Sequence, residues 1–185
     1  MDEPRSSSTQ PEADDQPPSS IDVEIFDAQT SLEPAQRSLL EQQLQLAFAQ
    51  LSNSGEVRIR VVNDKEMSDA HLKFSDVEGT TDVLTFDYGS DFAGPIDDKV
   101  LDVDLVICFD EALRQAGAHQ STVVSELLLY SVHGVLHCLG FDDHDEIEYQ
   151  RMHKKEDEIL TAIGVGPLFF DSNQSEDVES KEMNQ

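Results

Sequence analysis

Basic residues are scarce in this 185-residue chain: 12 Lys and Arg stand against 39 Asp and Glu, a formal net charge of -27. Each terminal segment, 1–20 and 171–185, carries five acids and one base, which leaves 29 acids and ten bases for residues 21–170. Nucleic-acid enzymes usually display a basic footprint. A surface this acidic repels phosphate at low salt, so any nucleic-acid binding would have to be local or aided by a partner. Solubility or saline surroundings account for such a charge without reference to function. Cysteine is nearly absent. Cys108 and Cys138 are too few for a disulfide framework, and both lie in apolar runs as expected of free, buried thiols. There is no apolar run long enough to span a bilayer and no basic-plus-apolar start, so a cytoplasmic protein is expected. No internal repeat is visible.

Residues 1–20 and 171–185 are polar and acidic with almost no apolar content, and read as disordered tails. Residues 21–170 then form one domain of ordinary size. Ile21-Asp-Val-Glu-Ile-Phe26 alternates apolar and polar residues, the pattern of a half-buried strand. Pro34 opens a helix to about Leu51, with Leu40, Leu44, Phe48 and Leu51 on one face. Val57, Ile59 and Val61 alternate with Arg58 and Arg60 in a second strand. Asn63 to Glu66 signals the cap of a short helix ending near Phe74. A third strand holds Val83, Leu84 and Phe86, and a Gly/Pro/Asp loop separates it from a fourth over Val103–Cys108. Helices follow over Asp110–Ala118, about 121–139 and about 145–163. Mixed elements of this number predict an α+β domain, one sheet covered by helices.

The stretch from Ser131 to Asp145 organises the rest. His133 and His137 are four residues apart, so on a helix both imidazoles project from one face. Val123, Val124, Leu127, Leu128, Val132, Val135, Leu136 and Leu139 supply the apolar helical spacing around them. Gly140 ends the helix, because glycine takes the left-handed C-terminal conformation at little cost. A donor three residues later can return to the same ion, making an open three-ligand site with room for water. Peptidases with a similar spacing place a glutamate general base directly after the first histidine; here that residue is Gly134, which cannot accept a proton.

His133-Gly-Val-Leu-His-Cys-Leu-Gly-Phe-Asp closely resembles the signature His-Gly-x-Leu-His-Leu-x-Gly-Tyr-Asp-His of the YbeY family of bacterial metal-dependent endoribonucleases. Thr81-Asp-Val-Leu-Thr-Phe86 resembles the family's Pro-Thr-Asp-Val-Leu-Ser-Phe. Asp104-Leu-Val-Ile107 resembles the strand before its metal helix. The motifs come in the family's order, and the resemblance spans about residues 21–165. It implies a single α+β domain with about five helices around a four-stranded mixed sheet and a buried metal helix. It also implies a single-strand-specific endoribonuclease acting in maturation of the 16S 3′ end. Ribosomal RNA and ribosomal particles would be its partners, with ribosomal or GTPase assembly proteins besides and no membrane.

The departures from the pattern are informative. Counted without gaps from Gly140, the family's third histidine falls on Asp143, and the same count keeps Met152 on a methionine of the next helix. Asp143 is then the third ligand of one Zn²⁺ per chain, with His144 the alternative. The family arginine between the short helix and the Thr-Asp-Val-Leu strand falls on Ser75, which cannot hold a phosphate through a charged fork. Lys73 is the substitute phosphate contact, and Arg58 and Arg60 are further candidates, although pairing with Asp or Glu on a strand face explains both equally well. His71 lies near the same loop. Asp142 or Asp145 can orient a ligand imidazole, with solvated loop carboxylates as the plainer reading. Two other classes remain: a non-catalytic ribosome-assembly factor with a structural metal, favoured by Ser75 and the charge, and a metallohydrolase of peptides or esters, disfavoured by Gly134.

Overall fold

The computed structural model describes residues 20–168. The two acidic segments expected as tails lie outside that range except for Ser20, as do Phe169 and Phe170. The described elements are β1 (Ile21–Phe26), α1 (Pro34–Phe48), β2 (Ser54–Val62), α2 (Asp64–Ser75), β3 (Val83–Asp87), β4 (Val100–Cys108), α3 (Phe109–His119), α4 (Val123–Cys138) and α5 (Glu146–Ala162), with a 3₁₀ turn at Ile96–Asp98. Four of the five helix starts have a local cause. Pro34 is pre-set for the first turn of α1, and Asn63, Thr122 and Asp145 accept backbone N–H groups at the starts of α2, α4 and α5.

The four strands form one mixed sheet in the order β1-β2-β4-β3. β1, β2 and β4 run parallel, and β3 lies antiparallel on the outer side of β4. Alternation assigns the two faces. Val57, Ile59, Val61, Leu101, Val103, Leu105 and Ile107 point to the main core, where they meet Leu40, Leu44 and Phe48 of α1 and the apolar side of α4. The opposite face carries Arg58, Arg60, Asp104 and Val106, and one end of it is covered by Met67 of α2. Burying side chains such as Leu127, Leu128 and Leu136 of α4 contributes on the order of 1.5–3 kcal/mol each. α4 is enclosed by the sheet and by α1, α3 and α5, so any chemistry it carries is held on the most constrained element of the fold.

A buried lysine ties the far end of α4 to the sheet. Lys99, 5% exposed, donates to Asp87 Oδ2 at 2.5 Å and to the Cys138 carbonyl at 2.8 Å. A cation at a helix C-terminus complements the unpaired carbonyls there. The two cysteines are free and buried, and burial pushes the Cys108 thiol up to about 11 and the Cys138 thiol up to about 12.

Candidate metal centre

The two α4 histidines meet at their outer nitrogens: His133 Nε2 and His137 Nε2 are 3.1 Å apart. Their inner nitrogens are both committed. His137 Nδ1–H donates to the Phe141 carbonyl at 3.0 Å, a group brought back over the helix end by Gly140 in the left-handed conformation (φ 80°). His133 Nδ1–H donates to Glu156 Oε1 at 2.7 Å, and the other oxygen of Glu156 accepts from His153 Nδ1 at 2.5 Å. With both Nδ1 positions holding protons toward acceptors, both Nε2 lone pairs face the same point. Two nitrogens at about 2.0–2.1 Å from one tetrahedral zinc lie roughly 3.4 Å apart, close to the separation found. The carboxylate–histidine pairing behind His133 is the arrangement that fixes the ring orientation of metal-bound imidazoles.

A third candidate donor comes from the loop. Asp143 Oδ2 lies 3.8 Å from His133 Nε2, and donor atoms of His133, His137 and Asp143 all fall within 4.8 Å of one another. His144 is placed differently: its side chain is 85% exposed and its Nδ1 pairs with Asp142 Oδ1. Asp142, Asp143 and His144 also make a compact trio, but two of its members are exposed and engaged with each other. The hydrogen bond with His144 holds the Asp142 carboxyl below its usual range. Asp145 caps α5 through the amides of Ile147 and Glu148.

Electrostatics match the geometry. Burial disfavours protonation of His133, yet the hydrogen bond to Glu156 and the charges of Glu156, Asp82 and Asp143 outweigh it and raise its pKa above the usual imidazole value. Burial likewise opposes ionisation of Glu156, which is fully buried, but the two histidine hydrogen bonds hold its carboxyl below the usual range. The centre therefore attracts positive charge.

Gly134 has a steric reason to be glycine. A Cβ there would lie 2.8 Å from both Leu105 Cδ2 and Thr85 Oγ1, so α4 meets the sheet at this position with no room for a side chain. A side chain there would have to displace Leu105 and Thr85, so packing as well as chemistry disfavours the peptidase arrangement.

The remaining candidates separate into different surroundings. Arg58 is fully engaged with Asp104 at 2.5 Å, Asp102 at 2.6 Å and Glu56 at 3.0 Å. Arg60 has no carboxylate partner among the described residues. Lys73 is exposed with its Nζ 4.8 Å from the centre of the Phe74 ring, and Ser75, at the end of α2, is exposed as well. His71 is half-buried and its Nδ1 bonds the Gly79 carbonyl at 3.1 Å, pinning the loop between α2 and β3.

Glu156, His153 and Asp82 escape a reading by motif. Glu156 does leave a trace: it falls on the apolar stripe of α5 with Met152, Ile159 and Leu160, and a glutamate on a core stripe demands a buried partner. Asp82 opens β3, accepting from Thr81 Oγ1 and Val83 N, and nothing local announces that its charge reaches His133.

A model of the family described as Endoribonuclease YbeY matches residues 22–164. The Endoribonuclease YbeY of Carboxydothermus hydrogenoformans is 32% identical over 128 residues, which cover 69% of this chain and 86% of that protein. That of Chloroflexus aurantiacus is 36% identical over 125 residues, covering 65% of this chain and 80% of that protein. A solution structure of TM1509 from Thermotoga maritima aligns over 87% of this chain and 98% of that one, with 21% identity and a TM-score of 0.45.

Proposed function

The chain belongs to the Endoribonuclease YbeY family, and from that premise we propose that it is a metal-dependent endoribonuclease that cleaves single-stranded ribosomal RNA. The observation that carries this reading is the convergence of two Nε2 lone pairs and one carboxylate oxygen at one point beside an open loop. His133, His137 and Asp143 would hold the ion, taken here as one Zn²⁺ per chain; the fourth position is left for water or substrate. Bound there, a divalent ion supplies Lewis acidity toward a phosphoryl oxygen and lowers the pKa of its water towards roughly 7.

The chain's own residues have defined parts in this chemistry. Glu156 keeps the proton on His133 Nδ1 and so keeps Nε2 free to donate its lone pair. The Phe141 carbonyl does the same for His137. Asp143 brings one negative charge where a third histidine would be neutral, which would make a metal-bound water less acidic. The substrate's phosphate finds no arginine at Ser75, so Lys73 is the nearest replacement we assign as a phosphate contact. Its action in 16S 3′-end maturation, on ribosomal particles and beside ribosomal or GTPase assembly proteins, in the cytoplasm, belongs to the same proposal. Among the described residues no helix is long and apolar enough to cross a membrane.

The test is metal content of the purified protein together with cleavage of ribosomal RNA, with and without chelator. His133→Ala and His137→Ala are expected to lose the metal and the cleavage while keeping the fold. Full metal content in both variants would refute the site. One observation favours a second reading, a non-catalytic assembly factor: Ser75 stands, exposed, where the family arginine is expected. That reading requires ribosomal association that survives loss of both histidines.

A further inference from the structure

The face of the sheet away from α4 holds a cleft of about 370 Å³, lined by Phe26, Arg58, Arg60, Phe74, Phe86 and Tyr88 among others. Strand register builds it. Phe26, Arg60 and Val106 lie side by side across three strands, and Arg58, Asp104 and Phe86 form the neighbouring row. Phe74 of α2 closes one side, edge-on to Phe86 at 4.9 Å between ring centres. Tyr88 closes another: its hydroxyl donates to Asp104 Oδ2 at 3.1 Å, and the Arg58 guanidinium sits 5.9 Å from its ring centre. Three of these rings are well exposed, Phe26 at 51%, Phe74 at 56% and Tyr88 at 62%.

Exposed rings alone would name no occupant, but the charges do. Seven of the ten described Lys and Arg side chains lie within 4 Å of a carboxylate. The three without one are Arg60, Lys73 and Lys154. Two of those three are at this cleft: Arg60 lines it, and Lys73 stands over the Phe74 ring that walls it. The acid that lines it, Asp104, is paired with Arg58, which also engages Asp102 and Glu56. In a domain with 29 acids, free positive charge is thus concentrated beside a set of exposed rings. Rings with unpaired cations are what single-stranded nucleic acid requires, bases stacking on the rings and phosphates meeting the cations.

We propose that this cleft is a docking subsite for unpaired nucleobases of the RNA, with Tyr88, Phe86 and Phe74 as stacking surfaces and Arg60 and Lys73 as phosphate contacts. It rests on the endoribonuclease reading and extends it to how the substrate is held. β3 is an edge strand with the two sites on its two sides. Val83 and Thr85 face α4, Phe86 lines the cleft, and Asp82 at its start is the carboxylate whose charge reaches His133. A strand of RNA passing over this edge runs from the metal centre to the cleft. The two cations without carboxylate partners would give phosphate a local contact in an otherwise acidic domain.

The experiment uses the full-length, metal-loaded protein and a short single-stranded RNA carrying 2-aminopurine, mixed rapidly so that stacking is read as fluorescence quenching before cleavage. Tyr88→Ala and Arg60→Glu are each expected to weaken binding about 10-fold or more, raising KM while leaving kcat at saturating RNA and the metal content unchanged. Tyr88→Phe keeps the ring and is expected to retain the quenching. Unchanged affinity in both variants overturns the proposal, and so does unchanged RNA affinity with lost association to ribosomal proteins, which would make the face a protein contact. The two readings fail separately. A wild-type protein that cleaves RNA without any quenching refutes the subsite alone, whereas quenching without cleavage refutes the nuclease and leaves the subsite standing.

Discussion

Replacing Glu156 by glutamine changes one atom of a side chain that touches no substrate, yet it is expected to weaken metal binding strongly. The carboxylate is fully buried and accepts two hydrogen bonds, from His133 Nδ1 at 2.7 Å and from His153 Nδ1 at 2.5 Å. Glutamine offers one acceptor oxygen and one NH₂ donor. One of the two histidines must then face a donor with a donor, or move its proton to Nε2. If His133 does so, the lone pair that faces His137 is gone. Outer partners of this kind typically account for 10- to 100-fold in metal affinity, about 1.4–2.8 kcal/mol at tenfold per 1.4 kcal/mol. Zinc titration against a competing chromophoric chelator measures the effect directly. An affinity for Glu156→Gln within twofold of wild type would refute the role assigned to this carboxylate.

The same pair sets a pH signature in the metal-free protein. Glu156 has a lowered pKa, so its contribution to stability is present above the ordinary value of 4.5 and is lost as pH falls through the lowered one. His133 has a raised pKa, so its contribution is fully present below the ordinary 6.5 and is lost as pH rises through the raised one. The stability advantage of wild type over Glu156→Gln, read as a difference in Tm under chelator, is therefore expected to be largest between about pH 4.5 and 6.5. A difference that grows steadily above pH 7 would contradict the assignment.

Three further perturbations test other parts of the site. Asp143→Ala is expected to cost most of the metal affinity and His144→Ala little; the reverse outcome in the same titration would place His144 in the ion's first contact layer and shift the loop by one residue. Gly134→Ala forces a Cβ to 2.8 Å from Leu105 and Thr85, a crowding of about 1–3 kcal/mol against roughly 1 kcal/mol gained in helix propensity. A net loss of stability is expected by urea denaturation, and a gain would show that α4 can withdraw from the sheet. Ser75→Arg returns a charged fork to the end of α2 and is expected to raise RNA cleavage several-fold. Unchanged cleavage and binding would locate the phosphate contacts wholly at Lys73 and Arg60.

Local spacing carried a large part of this protein. Alternation in Ile21–Phe26 and around Val57–Val61 reports strands with one buried face, and the four-residue interval from His133 to His137 places both rings on one side of α4. Gly140 marks the helix end because its φ of 80° suits glycine above other residues. These features are legible because a backbone period converts sequence distance into direction without help from the rest of the chain. Periodicity says which way a side chain points but not what waits there. Arg58 and Arg60 are two apart on the same face of β2, and their fates diverge only because parallel pairing with β4 sets Asp104 beside Arg58 and Val106 beside Arg60. The order β1-β2-β4-β3 decides that pairing, and strand order is a property of packing rather than of any one segment. The Glu156 that orients His133 is 23 residues away on another helix, and the need for glycine at 134 comes from Leu105 and Thr85 across the helix–sheet contact. The donors of the candidate metal centre are written in one stretch of chain, whereas the groups that hold them in place, and the cations of the open sheet face without carboxylate partners, are set where distant segments are brought together by burial of a common core.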